Sequence, residues 1–148
     1  MDAVVNPDDP LFGIEGSMPD RIWRYRRETD QQAPETRGAV VRIIVRSLAT
    51  KAAIRLEDLT TAAGTFIDRL YLGGSGVRNE LFRQHLAAAV DFPVYAGLVD
   101  ATAVGNILLQ AVATGTIFGS YRGAATSYRG DVADRVPAVR RSAARQRP

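Results

Sequence analysis

The chain has 148 residues, of which 46% are hydrophobic, and this is enough for one domain of ordinary size. Because it has no cysteine, disulfides, thiolate metal sites and cysteine nucleophiles are excluded. The 19 basic residues exceed the 16 acidic ones by +3, and the excess lies in the tail, where seven arginines after Tyr121 face two aspartates.

The first predicted segment, residues 1–18, is a loop with repeated proline, glycine and aspartate signals. It lacks the basic start and apolar core of a secretory signal, and no apolar run approaches the roughly 20 residues of a membrane span. We therefore expect a cytoplasmic protein without a membrane partner. A short helix follows from Pro19 to about Glu28, with contacts from Ile22, Trp23, Tyr25 and Arg26.

A long helix is predicted next, from about Thr36 to Ala62 or Ala63, with Gly64 just beyond its end. Its apolar residues recur at helical spacing and form one stripe, which Val41 and Val45 broaden: Val40, Ile44, Leu48, Ala52, Leu56 and Leu59. A helix this apolar needs a large surface to pack against.

Residues 66–114 predict a β-α-β-α unit, which forms a crossover on a parallel sheet. Its strands are Phe66–Leu72 and Pro93–Ala96, and its helices are Asn79–Val90 and Asp100–Thr114. Because two parallel strands alone are marginal in water, we interpret the unit as part of a larger sheet whose other strands are missing. The basic tail, residues 119–148, is predicted to be disordered.

The most informative stretch runs from Leu70 to Asn79, where a short apolar strand enters a glycine-rich turn that opens onto an amphipathic helix. This order places backbone N–H groups at the carboxyl end of a strand, where a nucleotide can approach the main chain. A tight connection without a ligand is the open alternative. A P-loop is excluded because Lys51, the sole lysine, follows no glycine loop.

Several further segments share a pattern with one family: Asn6–Phe12, Met18-Pro19, Arg27–Pro34, Ser47-Leu48-Ala49, Arg69–Leu81, Pro93–Gly97 and Asp100–Asn106. In combination they resemble the C-terminal part of the FGGY carbohydrate kinases, in particular the rhamnulokinases. The resemblance covers about residues 5–118.

This resemblance implies an α/β fold, part of the RNase-H-like C-terminal domain of an actin-like ATPase or sugar kinase, over residues 19–118. In the family, the stretch matching Gly74, Ser75, Gly76 and Asn79 is the adenosine motif of the ATP site. The phosphate loops, the sugar-binding residues and the catalytic aspartate lie upstream of anything in this chain. The resemblance thus implies ATP as a ligand, magnesium through the missing part, and a sugar such as L-rhamnulose only with the N-terminal half. We expect the chain to be inactive alone.

Four positions depart from the family pattern. Ser75 stands where the family usually has the middle one of three consecutive glycines, which adds a side chain where the nucleotide approaches. Arg46 replaces the usual acidic residue before Ser-Leu-Ala, and Arg26 and Ile43 occupy places where some relatives carry a cysteine pair.

Two other functions are open alternatives. One is a non-enzymatic remnant or interaction protein that pairs through an exposed sheet edge. The other is polyanion binding by the arginine-rich tail, although we expect incidental charge there and no nucleic-acid partner. Trp23 and Tyr25 lie among arginines, a pattern that can also indicate a nucleic-acid-binding patch. We interpret this segment as a helix whose aromatic residues pack inward and whose arginines lie in water.

Overall fold

The computed structural model describes residues 4–117 and 134–136, without the side chains of Asp134 and Arg135. The chain divides into two compact units, residues 1–65 and 66–148. The boundary falls inside the span 19–118, which the sequence predicts as one domain portion, so that domain assignment stays a prediction. Within the described residues, no helix is both long enough and apolar enough to cross a membrane.

The first unit consists of a 3₁₀ helix over Pro10–Gly13 followed by helices α1 (Met18–Glu28) and α2 (Arg37–Ala63). The ends of α2 follow from local chemistry. The Thr36 hydroxyl accepts from the Ala39 amide at 3.1 Å, and Gly64 ends the helix with a φ of 60°. Both predicted helices are confirmed.

The core of this unit forms around the first half of α2. Its buried members come from the N-terminal segment and both helices: Val5, Ile22, Val40 and Ile43. The buried Ser47 hydroxyl accepts from the Val5 amide at 2.9 Å and donates to the Ile43 carbonyl at 2.6 Å. The bond between the Val5 amide and Ser47 fixes the N-terminal segment on α2.

A second contact between the N-terminal segment and α2 is ionic. Lys51 lies 2.6 Å from an Asp8 carboxylate oxygen, and Arg55 lies 3.3 Å from the same oxygen. The hydrogen bond from Lys51 lowers the pKa of Asp8 below its ordinary value. The sequence excludes Lys51 as the lysine of a P-loop. In the structure Lys51 lies on α2 and forms an ion pair with Asp8.

The predicted apolar stripe of α2 is only partly buried. Val40 and Val45 of the stripe are buried, but Leu48 and Leu59 are 48% and 62% exposed, and the buried Ala49 lies outside the predicted stripe. The stripe is therefore covered only in part by the described residues, in agreement with the expectation that this helix has too little to pack against. Periodicity identifies an apolar side of a helix but not what covers it.

The orientation predicted for α1 is also partly wrong. Arg26 is only 4% exposed, and its guanidinium donates to the Gln32 carbonyl and to Oε1 of Gln31. Burial lowers the pKa of Arg26. Trp23 is 49% exposed and donates its indole N–H to the Pro34 carbonyl at 3.1 Å. The linker after α1 offers these carbonyls, so an arginine lies inward and an aromatic ring outward.

The second unit has the order β1 (Leu70–Leu72), α3 (Glu80–Ala89), β2 (Val94–Ala96), α4 (Ala101–Ala113) and β3 (Asp134–Arg135). The strands form one sheet in the order β1-β2-β3. β1 and β2 are parallel, with Leu70 opposite Val94 and Leu72 opposite Ala96, and β3 is antiparallel to β2. The predicted β-α-β-α unit is confirmed.

The core of this unit covers one face of the sheet. Its buried residues are Val77, Ala87, Val94, Ala96 and Val136, with Leu70, Leu72 and Val90 packed against them. Tyr71 and Tyr95 are paired in register and alternate with these residues, so they lie on the opposite face, where their rings stack at 5.2 Å.

Three expectations for this unit differ from the structure. β1 begins at Leu70, and Phe66, predicted as its first residue, is 94% exposed. β3 lies within the tail predicted to be disordered; the rest of that tail is outside the described residues. β3 also covers the outer edge of β2, so the predicted exposed edge is absent there, while β1 has no outer partner strand among the described residues. α4 contributes no buried residue.

Candidate functional site

The glycine-rich turn lies at the carboxyl end of β1 and leads into α3. After Leu72 the chain passes through Gly73 and Gly74, forms a 3₁₀ helix over Ser75–Arg78, and enters α3 after Asn79. Gly74 has φ 84° and ψ −178°, a conformation that residues with a Cβ rarely adopt. The strand-turn-helix prediction is confirmed, and the backbone conformation explains the glycine at this position.

A second loop, residues 97–100, lies beside the turn because β1 and β2 are parallel neighbours. The Gly74 amide donates to the Leu98 carbonyl at 2.9 Å, and the Gly97 amide donates to the Leu72 carbonyl at 2.8 Å. An added Cβ on Gly97 would lie 2.9 Å from the Leu72 oxygen, which is too close for a carbon atom. The two loops therefore meet at the carboxyl edge of the strands, where open α/β sheets bind ligands.

Gly76 has no such structural explanation. Its φ lies outside the left-handed region, and an added Cβ would meet no described atom within 4 Å. A side chain at this position would be sterically acceptable in the chain as described. What glycine provides here is an open backbone that another molecule can approach closely.

Several hydrogen-bond donors of the turn have no acceptor among the described residues. They include the backbone amides of Ser75 and Gly76 and the side-chain amide nitrogen of Asn79, and all three residues are exposed. The two backbone amides begin the 3₁₀ helix, and Gly74 has no side chain to cap them. An open surface with several neighbouring donors can bind the acceptor atoms of a polar ligand.

Asn79 also has a structural role. Its Oδ1 accepts from the Phe82 amide at 3.0 Å and so caps α3, while its own backbone amide donates to the Gly76 carbonyl at 3.1 Å. Helix capping therefore explains an asparagine here before any ligand is considered. The amide nitrogen of its side chain is left for a ligand.

The four residues predicted as the nucleotide site form one continuous turn: Gly74, Ser75, Gly76 and Asn79. Sequence reasoning did not assign the second loop, in which Leu98 holds Gly74 and the close approach of Gly97 requires a glycine. The signal that could have found it is a glycine directly after the second predicted strand, at the same edge of the sheet.

A basic side chain precedes β1 on the side of the tyrosine pair. The hydrogen bond between Arg69 and the Tyr71 hydroxyl raises the pKa of the Arg69 guanidinium above its ordinary value. Arg69 therefore stays charged beside the stacked rings of Tyr71 and Tyr95. This face of the sheet is separate from the core face and is not part of the glycine turn.

No metal site is formed by the part of the chain that the structure describes. Within residues 4–117 and 134–136, no three His, Asp or Glu side chains are grouped so that they could hold an ion. His85, the sole histidine, is partly buried on α3. The described residues therefore do not fit a magnesium ion by themselves. Most tail arginines lie outside the described residues, so polyanion binding stays a prediction.

Comparison with known proteins places the glycine turn in a family. Residues 2–114 match the C-terminal domain of the FGGY family of carbohydrate kinases. The chain belongs to this family. The matched region contains both loops of the site, whereas β3 lies outside it.

Three relatives of this FGGY chain are rhamnulokinases. The protein of Bacteroides thetaiotaomicron is 41% identical over 113 residues, which cover 76% of this chain and 23% of the relative. Those of Ligilactobacillus salivarius and Halalkalibacterium halodurans are 36% and 38% identical and cover 80% and 78% of this chain. The chain spans about a quarter of the length of these curated relatives.

Proposed function

We propose that this chain supplies the adenosine-binding wall of the ATP site of an FGGY carbohydrate kinase that acts on a sugar such as L-rhamnulose. In this proposal the β-α-β-α unit belongs to an RNase-H-like domain of the actin-like type. Family membership supports the reaction class. The rhamnulokinase relatives support the sugar.

The observation that carries the site assignment is Gly76. Neither its φ nor any neighbouring described atom requires glycine there, yet its own amide and that of Ser75 have no acceptor among the described residues. A nucleoside placed against this backbone would meet donors from Ser75, Gly76 and the Asn79 side chain. Between Gly73 and Gly76 only Ser75 carries a side chain, so it should limit how closely the nucleoside approaches.

ATP, when bound, supplies the phosphoryl group that a kinase of this family transfers to a sugar hydroxyl. In this proposal the residues of this chain bind and orient the nucleoside end only. Phosphoryl transfer also needs metal ions at the phosphates and a base at the sugar hydroxyl, and no three His, Asp or Glu side chains of the described residues are grouped so that they could hold a metal ion. We therefore propose that the chain does not catalyse phosphoryl transfer by itself.

The proposal is tested by calorimetric titration of the full chain with ATP, adenosine and inorganic triphosphate. ATP and adenosine should bind with similar affinity, at millimolar dissociation constants or tighter, and triphosphate should not bind. Equal binding of ATP and triphosphate would mean that phosphate recognition dominates, contrary to the proposal. The absence of a binding heat with both ATP and adenosine would favour the alternative of a non-enzymatic remnant.

A matched pair of variants separates the site from the fold. Gly76→Val places a side chain over the open backbone and should weaken adenosine binding by about tenfold, the equivalent of ~1.4 kcal/mol. Gly13→Val is the control, because Gly13 also has open space around its Cβ but lies in the first unit. Equal affinity in the two variants would show that the ligand does not approach Gly76.

A further inference from the structure

The tail contributes a strand that the family match does not include. β3 pairs antiparallel with the outer edge of β2, with Asp134 opposite Ala96 and Arg135 opposite Tyr95. The next residue, Val136, donates its amide to the Val94 carbonyl at 2.8 Å. The match to the C-terminal FGGY domain ends at residue 114, so this strand is a feature of the chain beyond the shared domain.

Val136 holds the strand by packing as well as by its backbone. It is 6% exposed and belongs to the same buried cluster as Val77, Ala87 and Val94. Its β-branched side chain and the proline that follows both favour an extended backbone at this residue. The segment thus combines backbone pairing with β2 and one apolar anchor.

We propose that the outer edge of β2 is a strand-docking site and that the chain's own segment 134–136 is its built-in occupant. An uncovered edge strand presents unpaired N–H and C=O groups to any other extended chain, and an anchored strand removes that opportunity. The tail therefore keeps a second copy of the chain from pairing at β2. This inference goes beyond the proposed function and does not depend on nucleotide binding.

Backbone geometry supplies neighbouring reporters for the two edges of β2. The Gly97 amide donates to the Leu72 carbonyl and so faces β1. Because successive residues of a strand face alternate edges, the Ala96 amide faces β3, on the same side as the Val94 carbonyl. Loss of β3 should therefore expose the Ala96 amide while leaving the Gly97 amide bonded.

The experiment is amide hydrogen exchange, followed residue by residue by NMR, on the full chain carrying Val136→Asp. The carboxylate cannot remain in the apolar cluster, so the strand should detach and Ala96 exchange should rise by about tenfold or more relative to Gly97. Val41→Asp is the control, because Val41 is 54% exposed and lies in the first unit. Unchanged Ala96 exchange in Val136→Asp, or an equal rise at Ala96 and Gly97, would overturn the proposal.

The docking site is then tested in trans. A synthetic peptide of residues 131–141 added to the Val136→Asp chain should restore Ala96 protection in a saturable way, and the same peptide carrying the aspartate should not. Without peptide, the variant should also associate with rising concentration in sedimentation. A folded variant that ignores the peptide and remains monomeric would contradict the inference. If Val136→Asp unfolds the chain, the milder Val136→Ala is measured in the same way and should raise Ala96 exchange selectively.

Discussion

The two loops of the candidate site make a sharp prediction for Gly97→Ala. An added Cβ would lie 2.9 Å from the Leu72 carbonyl oxygen. This is roughly 0.4 Å inside the ~3.3 Å at which carbon and carbonyl oxygen ordinarily meet. The same oxygen accepts the Gly97 amide at 2.8 Å, so neither atom can withdraw without lengthening that bond. The strain therefore falls on the junction between β1 and β2.

The size of the effect follows from these two contributions. Overpacking of this kind costs about 1–3 kcal/mol, and weakening the hydrogen bond adds about 1 kcal/mol. The reduced freedom of the unfolded alanine chain offsets about 0.5 kcal/mol. We expect a net loss of about 2 kcal/mol, which lowers the melting temperature by roughly 10 °C for a unit of this size.

The assay is a thermal melt followed by circular dichroism, with Gly76→Ala as the matched control. At Gly76 an added Cβ meets no described atom and the φ is ordinary, so this variant should melt at or slightly above the parent temperature. The Gly74 amide, which bonds to Leu98, should exchange faster in Gly97→Ala alone. If both variants melt within about 2 °C of each other, the close approach inferred at Gly97 is incorrect.

Three further predictions concern a cap, a buried cation and an ion pair. Asn79→Ala removes the cap of α3 and should cost about 1 kcal/mol in a denaturant titration, whereas Asn79→Asp keeps an acceptor and should cost less. Arg26→Met removes the donor to the Gln32 carbonyl and should cost about 2 kcal/mol in the same titration. The hydrogen bond from Lys51 is the main reason why the pKa of Asp8 is lower in the folded chain than its ordinary value of 3.8. The ionised Asp8 should therefore stabilise the fold above pH 3.8, and this contribution should be lost as the pH falls through the lower pKa of the folded state. Asp8→Asn should flatten acid unfolding curves.

The prediction for Arg26 has an exposed counterpart on the same helix as its control. Arg27→Met removes a charge from the exposed side of α1 and should leave the denaturation midpoint nearly unchanged. The burial of Arg26 would be disproved by equal losses for Arg26→Met and Arg27→Met. Parallel acid curves for Asp8→Asn and the parent would show that the ion pair with Lys51 contributes nothing.

The elements whose ends depend on local chemistry are those that the sequence predicts well. Thr36 and Gly64 mark the ends of α2 because a hydroxyl caps the first turn and a glycine takes the left-handed conformation after the last. The same holds for the turn between β1 and α3, where glycines and Asn79 act on their immediate neighbours. These signals lie within a few residues of the structure they determine.

Elements that depend on distant partners were not predictable in the same way. β3 is two residues long and lies in a polar, arginine-rich tail, so no periodicity marks it. It forms because the edge of β2, some 40 residues earlier, is available and Val136 fills a place in its core. Phe66 illustrates the opposite error, because its apolar side chain favours a strand but the ladder with β2 begins only at Leu70.

The candidate site can be judged apart from the rest of the chain because its shape is determined locally. The bonds that join the two loops run between Leu72 and Gly97 and between Gly74 and Leu98. Glycine at 74 follows from a positive φ, and glycine at 97 follows from a close carbonyl. Both glycines would be needed even in a turn that binds no ligand. Among the described glycines of the two loops, only Gly76 lacks such a structural reason, so the functional inference depends on the response of ligand binding to a side chain there.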